Sequence, residues 1–380
     1  MDKKTIGILG GTGYVGREAV KTILTFTDHN IMLGGRNQEK LRKIFPKMES
    51  RGDCLQVDVY NRDLLHNFCS KCDIVVNCAG PSKQILDMVA SASIEQCAHY
   101  VDVSGDEYLY KQLMKRKQEI EEKKLLFIIS AGLYPGLSEI FPAYVAEKYF
   151  ADIDLLELFF AGQGEFSLNA AYDIVCSIEE DNGLGMTYCK NGEAKKIDGE
   201  FHSKYTLPYP AGELDTYPIL NQEFKRIAER YKIKSAYFYN TYQNKSVLNK
   251  FVMIKALEQY KTEEQKRASA KILTEQFGEK KKEINDFTMF HLIANGNKNG
   301  KHLQLVSNLL YKNDWNTLSG IIAANAARLV IEGNRKKFGC FFVAEGVNVT
   351  KLMDVLSDQN IFLKHTFTEL NETKSILGTL

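Results

Sequence analysis

Residues 5–17 read TIGILGGTGYVGR, and the rest of the 380-residue chain is organised around this stretch. Ile6, Ile8 and Leu9 form a short apolar run that ends in Gly10, Gly11, Gly13 and Gly16. The pattern predicts a buried strand, a tight turn and a helix reaching to about Thr27. Gly11-x-Gly13-x-x-Gly16 fits the dinucleotide-binding fingerprint. Gly11 turns the backbone, Gly13 leaves room for a pyrophosphate near the main chain, and Gly16 lets helix and strand pack closely. The helix N-terminus offers N–H groups and partial positive charge to phosphates. Gly10, Gly11, Thr12, Gly13, Tyr14, Val15 and Gly16 are the expected contacts on that side.

Asn30 to Leu33 reads as a second strand, ending in Gly34-Gly35-Arg36-Asn37. An NAD site expects an acid here, to hold the ribose hydroxyls. The chain has Arg36, and no acid until Glu39. A guanidinium pairs with a 2′-phosphate in two-point fashion and stacks on adenine, whereas a carboxylate would repel the phosphate. The expected coenzyme is therefore NADP(H), held at this strand end by Arg36 and Asn37.

Further strands are expected over Cys54 to Val59, Asp73 to Cys78, His99 to Val103 and Leu125 to Ser130. Helices are expected over Asn61 to Lys71, Ser82 to Cys97 and from Asp106 to Lys124. Alternating strands and helices imply a doubly wound parallel sheet with ligands at the strands' carboxyl ends. Asp58 and Val59 then lie near the adenine. Asn77, Ala79, Gly80 and Pro81 pass under the nicotinamide ribose, and Ser104 follows strand five.

From about Ile153 the pattern changes. Strands at Leu155 to Ala161, around Asn191-Gly192, at Lys234 to Tyr242, and at Asp286 to Asn295 and Lys301 to Tyr311 suggest hairpins. Helices are expected at Ser167 to Glu180, Thr262 to Phe277 and Leu318 to Glu332. The expected architecture is α/β: a Rossmann domain over 1–145, a second α+β domain with a mostly antiparallel sheet over 146–315, and a segment 316–380 returning to the first domain. The lysines at 280–282 read as a solvated face.

Hydrophobic residues make up 44% and charged residues 26%, the proportions of a globular protein. A net charge of +1 offers no electrostatic case for nucleic acid or an anionic membrane surface. No apolar run nears the ~18 residues of a membrane span. The opening MDKK mimics a signal peptide, but the glycines interrupt its apolar part. Eight cysteines, mostly within apolar or helical runs, suit reduced thiols and a cytoplasmic location. Cys69 and Cys72 form a lone CxxC, read as packed thiols at a helix end, with no metal expected.

GGTGYVG, GGRNQEKL, DIVVNCAGP, HYVDVSGD and SAGLYPGLS, in that order over residues 1 to about 145, resemble the saccharopine dehydrogenase-like oxidoreductases. A weaker likeness continues into DWNTLSGIIAANAARLVIEG and GVNVTKL. The resemblance implies an NADP-binding Rossmann domain and a substrate domain whose large sheet often makes dimer contacts, hence a homodimer. It implies hydride transfer on a small-molecule C=N bond, or, as in other relatives, reduction of a C=C bond. Tyr134-Pro135-Gly136 stands where the amino-acid enzymes of the family tend to carry Asp-Pro-Gly, which argues against an amino-diacid substrate.

Hydride transfer needs a proton donor at the mouth of strands five and six. Tyr134 and Asp102 are the leading candidates, with Ser104 and Asp106 beside them. Tyr205, Tyr209, Glu213, Tyr237, Tyr239 and Tyr242 are candidates for the substrate pocket, with a core or interface role the equal alternative because side chains alternate along a strand. Ser130 with Tyr144-x-x-x-Lys148 imitates the short-chain dehydrogenase site and defines a rival carbonyl reductase. A non-enzymatic NADP-binding sensor is the second rival.

Overall fold

The computed structural model describes residues 3–46, 51–180, 183–242, 245–277, 284–333 and 337–370. The first domain alternates strand and helix: β1 (Thr5–Leu9), α1 (Tyr14–Phe26), β2 (Asn30–Gly35), α2 (Gln38–Ile44), β3 (Gly52–Gln56), α3 (Arg62–Cys69), β4 (Ile74–Asn77), α4 (Ser82–Ile85), α5 (Met88–Glu95), β5 (His99–Asp102), α6 (Glu107–Lys115), α7 (Lys117–Glu122) and β6 (Leu126–Ile129). Helix α8 (Leu137–Tyr149) leads into β7 (Asp152–Gln163), α9 (Leu168–Glu179), β8 (Gly183–Gly185), β9 (Thr187–Lys190), β10 (Glu193–Lys196), β11 (Lys204–Leu207), β12 (Gly212–Asn221), α10 (Gln222–Arg230), β13 (Ser235–Tyr242), α11 (Lys245–Ala256), α12 (Glu263–Phe277), β14 (Phe287–Lys298) and β15 (Lys301–Tyr311). The chain ends with α13 (Trp315–Ile331), β16 (Gly339–Phe342), α14 (Val343–Gly346), α15 (Val349–Ser357) and β17 (Ile361–Glu369).

Among the described residues the first sheet is parallel and seven-stranded, in the order β16-β6-β5-β4-β1-β2-β3. Its central strands are covered on both faces, which is why β4 and β6 are apolar throughout apart from Asn77. Six strands are expected from the sequence; the seventh, β16, comes from the carboxyl-terminal segment and extends the sheet beside β6.

The second sheet runs β10-β9-β13-β7-β14-β15-β17, with β12, β11 and β8 continuing from β13. It is mixed: β7 and β13 are parallel, and the remaining pairs are antiparallel. Phe159 and Glu157 on β7 point to one face, Leu158 and Phe160 to the other, as the period of two requires. Leu156 and Leu158 join a continuous core with α1, α8, α13 and the first sheet. Phe159 and Tyr239 belong to a separate cluster on the outer face.

Several expected boundaries are corrected. The third strand stops at Gln56: after a last ladder bond from Val57 N to Gly35 O the chain turns through Asp58, whose carboxylate accepts from Tyr60 N. The helix expected over 82–97 is broken by Leu86 at φ 53. The one expected to Lys124 breaks at Arg116, which brings both Leu113 and Ile120 into the core. The domain boundary expected at 145 falls inside α8, a helix buried almost along its whole length between the two sheets. The carboxyl-terminal segment is divided: α13, β16 and α15 return to the first domain, but β17 pairs with β15 and lengthens the second sheet. The lysine run at 280–282 lies outside the described residues.

Candidate coenzyme and active site

The glycine turn is built as the fingerprint requires. Gly10 has φ 78, and a Cβ there would stand 2.6 Å from Cys78 O on the adjoining β4 loop. A Cβ at Gly16 would stand 2.3 Å from Gly10 O, so helix and turn touch through bare backbone. Gly13 differs: within 4 Å a Cβ would meet only Gly10 O, at 3.4 Å. It is the N-cap of α1, supplies no capping side chain, and the first turn carries no acid. The N–H groups of that turn are therefore available to an outside anion, and the cradle fits a pyrophosphate. Thr12 is tied into the turn by its carbonyl, which accepts from Arg17 Nε at 3.1 Å. Tyr14 is exposed, and the nearby Glu165 carboxylate of the second domain raises its phenol pKa.

Arg36 is exposed directly after β2, beside Gly35. Asn37 has an additional role: its Oδ1 caps α2 by accepting from Lys40 N at 2.8 Å. Asp58 and Val59 stand in the turn after β3, both partly exposed.

Asn77 and Asp102 lie at the ends of β4 and β5 and are buried. Asn77 Nδ2 donates to Asp102 Oδ2 at 2.9 Å and to Tyr100 Oη at 3.2 Å, while its Oδ1 accepts from Ala79 N at 3.1 Å. Asp102 also accepts from Ser104 N at 2.8 Å, Gly105 N at 2.7 Å and the Tyr100 hydroxyl. Burial raises its pKa and these bonds lower it, with burial the larger effect. Four donors occupy the four lone-pair directions of the carboxylate. Asp102 therefore orders the β5–α6 loop, and Asn77 orders the β4 loop from beneath. Ala79, Gly80 and Pro81 form the part of that loop that reaches the surface, and Ser104 is exposed next to it. Asp106 is committed to capping α6 and to an ion pair with Lys83.

Tyr134 packs against the second sheet. Its ring meets Phe238 edge-on at 4.8 Å and Phe160 at 5.9 Å, and Asn240 lies near its hydroxyl. Burial, reinforced by the neighbouring Tyr242 and Glu139, pushes the phenol far above its ordinary value. It remains protonated at any physiological pH and can donate.

The tyrosines expected to form one pocket divide between the two faces of the second sheet. Tyr242 lies near Tyr134 and Asn240 on the inner face. Tyr237 and Tyr239 stack with Tyr188, Phe159 and Tyr205 on the outer face. Tyr209 is 89% exposed, and Glu213 pairs with Lys204 in solvent. Alternation along β13 made this separation unavoidable.

Tyr144 and Lys148 do meet, Nζ to Oη at 2.8 Å, but this is ordinary i,i+4 geometry on a helix. Tyr144 packs against Tyr149 and His365 of β17, under the second sheet. Ser130 sits elsewhere, bonded to Gly105 O and Glu223. The short-chain dehydrogenase constellation is not assembled. Cys69 and Cys72 are buried in the core; burial pushes the Cys69 thiol up to about 11 and Cys72 higher still.

Two features have no counterpart in the sequence reading. Glu139 and Glu223 are buried close to Ser130, around a cavity with room for about one water. Lys83, 7% exposed, is held by Asp106 and by Glu180 of the second domain. Only the position of Glu139 three residues into a helix after Pro135-Gly136 carried a signal, that of a carboxylate reaching back to the helix start; it accepts from Gly136 N at 2.7 Å.

A family model, the saccharopine dehydrogenase NADP binding domain, matches residues 6–128. The chain is 19% identical over 184 residues to the lipid droplet localized protein of Caenorhabditis elegans, a match spanning 45% of this chain and 43% of that one. It is 24% identical over 295 residues to carboxyaminopropylagmatine dehydrogenase of Synechocystis sp., covering 73% of this chain and 71% of the relative. Saccharopine dehydrogenase (L-Glu forming) from Saccharomyces cerevisiae superposes with a TM-score of 0.69 at 13% identity, over 96% of this chain and 100% of that chain, and so shares the fold. The first domain is therefore similar to the NADP-binding domain of the saccharopine dehydrogenases, and the chain as a whole shares their fold.

Proposed function

We propose that this protein is an NADP(H)-dependent oxidoreductase that transfers hydride to or from a C=N bond, interconverting an imine and a secondary amine. The observation that carries the coenzyme part is the pairing of an uncapped, acid-free α1 N-terminus with an exposed Arg36 where an NAD site needs a carboxylate. The alignment with carboxyaminopropylagmatine dehydrogenase, over most of the chain, supports an amine-type substrate. The bound coenzyme would supply the hydride. The glycine turn would hold its pyrophosphate, Arg36 its 2′-phosphate, and Gly80 and Pro81 would pass beneath its nicotinamide ribose.

Tyr134, on the β6–α8 loop, is the candidate proton donor in this reading, its phenol neutral and still carrying its proton. The proposal extends to a cytoplasmic homodimer joined through the second sheet. No helix of the described residues is long and apolar enough to cross a membrane.

The test is NADPH oxidation with paired keto acids and amines, beside a parallel set of enoyl thioesters. Turnover with the keto acid and amine pairs is the expected result. Turnover confined to the enoyl thioesters would replace C=N by C=C chemistry. NADPH binding without turnover on either set would favour a sensor.

A further inference from the structure

The four-residue helix α4 follows the β4 loop and begins at Pro81, which provides no side-chain cap. Its first amides are bonded instead by a residue of the other domain. Asp173, on α9, accepts from Ser82 N through Oδ2 at 2.9 Å and from Lys83 N through Oδ1 at 3.0 Å. The Lys83 side chain completes the junction, reaching Asp106 of its own domain and Glu180 Oε2, just beyond α9, at 2.5 Å. One turn before Asp173, Asn169 lies 3.5 Å from where a Cβ on Gly80 would be.

Helix α9 is in turn fixed to the second domain. Ala171, Tyr172, Val175 and Cys176 pack with Ala270 and Leu273 of α12, and Tyr172 Oη bonds Glu263 at 2.8 Å. It cannot leave α4 without carrying that layer with it. Separation of the domains on this side therefore strips two charge-assisted bonds from the segment 80–83 and leaves Lys83 with one partner fewer.

We infer that Asp173 is a positioning residue, coupling closure of the interdomain cleft to the order of the β4 loop, so that coenzyme leaves when this cross-domain cap opens. The inference rests on the coenzyme reading above, since it is the Gly80-Pro81 segment beneath the nicotinamide ribose that the cap holds in place. Glu180 acts with it through Lys83.

The experiment uses the full chain. Calorimetry first establishes that the wild type binds NADPH. NADPH release is then followed in stopped flow by nicotinamide fluorescence, after mixing with excess NADP⁺, for the wild type, Asp173→Asn and Glu180→Gln. Loss of a pair of charge-assisted bonds is expected to speed release about 10-fold in Asp173→Asn, and about 3-fold in Glu180→Gln, with association within about 2-fold of the wild type. A purely structural role would lower the melting temperature and leave the release rate of the bound fraction unchanged; release within about 2-fold of wild type in both variants overturns the inference. If Asp173→Asn does not fold, Glu180→Gln decides alone by the same criterion. A wild type that binds no NADPH refutes the coenzyme reading itself, which is a different result from binding with unaltered release.

Discussion

Ser130 Oγ lies 3.1 Å from Glu223 Oε1 and also bonds the Gly105 carbonyl. A hydroxyl has one proton, and a carbonyl can only accept. Ser130 has one proton for two acceptors, so both contacts are satisfied only when the Glu223 carboxyl carries a proton of its own. Glu223 is driven towards the neutral acid. Burial, and then the neighbouring Glu139 charge, push its pKa well above the carboxylate range, in agreement with this assignment. Glu139 is the more acidic of the pair: it accepts from Gly136 N and from Ser138 Oγ, both at 2.7 Å, and these bonds oppose the burial that raises it to about 7.

Glu223 holds its proton in the fold more tightly than in the unfolded chain, where it titrates near ~4.3. The stability this represents is whole below the unfolded pKa and is lost as pH rises towards the folded one. Glu223→Gln donates from its amide and has no proton to lose. Its melting temperature relative to wild type should therefore rise steadily from pH 5 to pH 8. A constant or shrinking difference would show that Glu223 is ionised. Glu223→Ala, which opens a cavity and strips Ser130 of its donor, should cost about 2–3 kcal/mol in chemical denaturation.

Gly13 and Gly16 separate binding from folding within one motif. Gly13→Ala introduces a methyl group where the protein has space, at a φ of −78 that suits any residue. Its melting temperature should stay within a few degrees of wild type while NADPH affinity falls by about 10-fold or more, because the methyl stands where the pyrophosphate comes closest. Gly16→Ala forces a Cβ against Gly10 O and should lose about 2–3 kcal/mol of stability before any ligand is added. Thermal unfolding and titration of both variants decide this.

Arg36→Ala removes the cation expected to face the 2′-phosphate. A charge-assisted pair is worth about 1.5–3 kcal/mol, so NADPH should bind roughly 10- to 100-fold more weakly. NADH, which lacks the phosphate, should be little affected. Equal losses for the two coenzymes, measured by calorimetry, would remove Arg36 from the site.

Tyr144→Phe tests the rival carbonyl reductase. Tyr144 is 3% exposed and lies against His365 and Tyr149, away from the strand ends that form the cleft. The variant should retain coenzyme affinity and turnover, with a stability loss of about 1 kcal/mol from the missing Lys148 contact. Abolished turnover with intact coenzyme binding would restore the rival.

Tyr134→Phe keeps the ring that packs on Phe238 and removes only the hydroxyl. If the phenol donates the proton, kcat should fall about 100-fold with NADPH affinity preserved. An unchanged kcat would leave Tyr134 as an aromatic residue packed against the second sheet.

Much of the first domain was legible from local rules. Glycines at 11, 13 and 16 behind an apolar run define a turn whose geometry is satisfied within a dozen residues, and the doubly covered strands advertise themselves as unbroken apolar stretches. Arg36 was readable for the same reason: its place is set by short-range spacing from the turn. The end of β3 at Gln56 and the helix breaks at Leu86 and Arg116 were not, because each break depends on what the next element must bury. The tyrosines of β13 were visible as a cluster, but which of them share a surface was decided by the alternation of a strand with two covered faces.

The chain order by itself determined that there is a βαβ coenzyme domain and that a phosphorylated coenzyme suits it, since both rest on contacts between neighbours in sequence. Only the tertiary structure decided that Asp102 is consumed by its own loop, that β17 joins the second sheet, that Glu223 is driven to neutrality beside Glu139, and that Asp173 reaches 90 residues back to Lys83. Those outcomes depend on burial and on partners far along the chain. No local pattern encodes the dielectric around a carboxyl group or the identity of the amide it will meet.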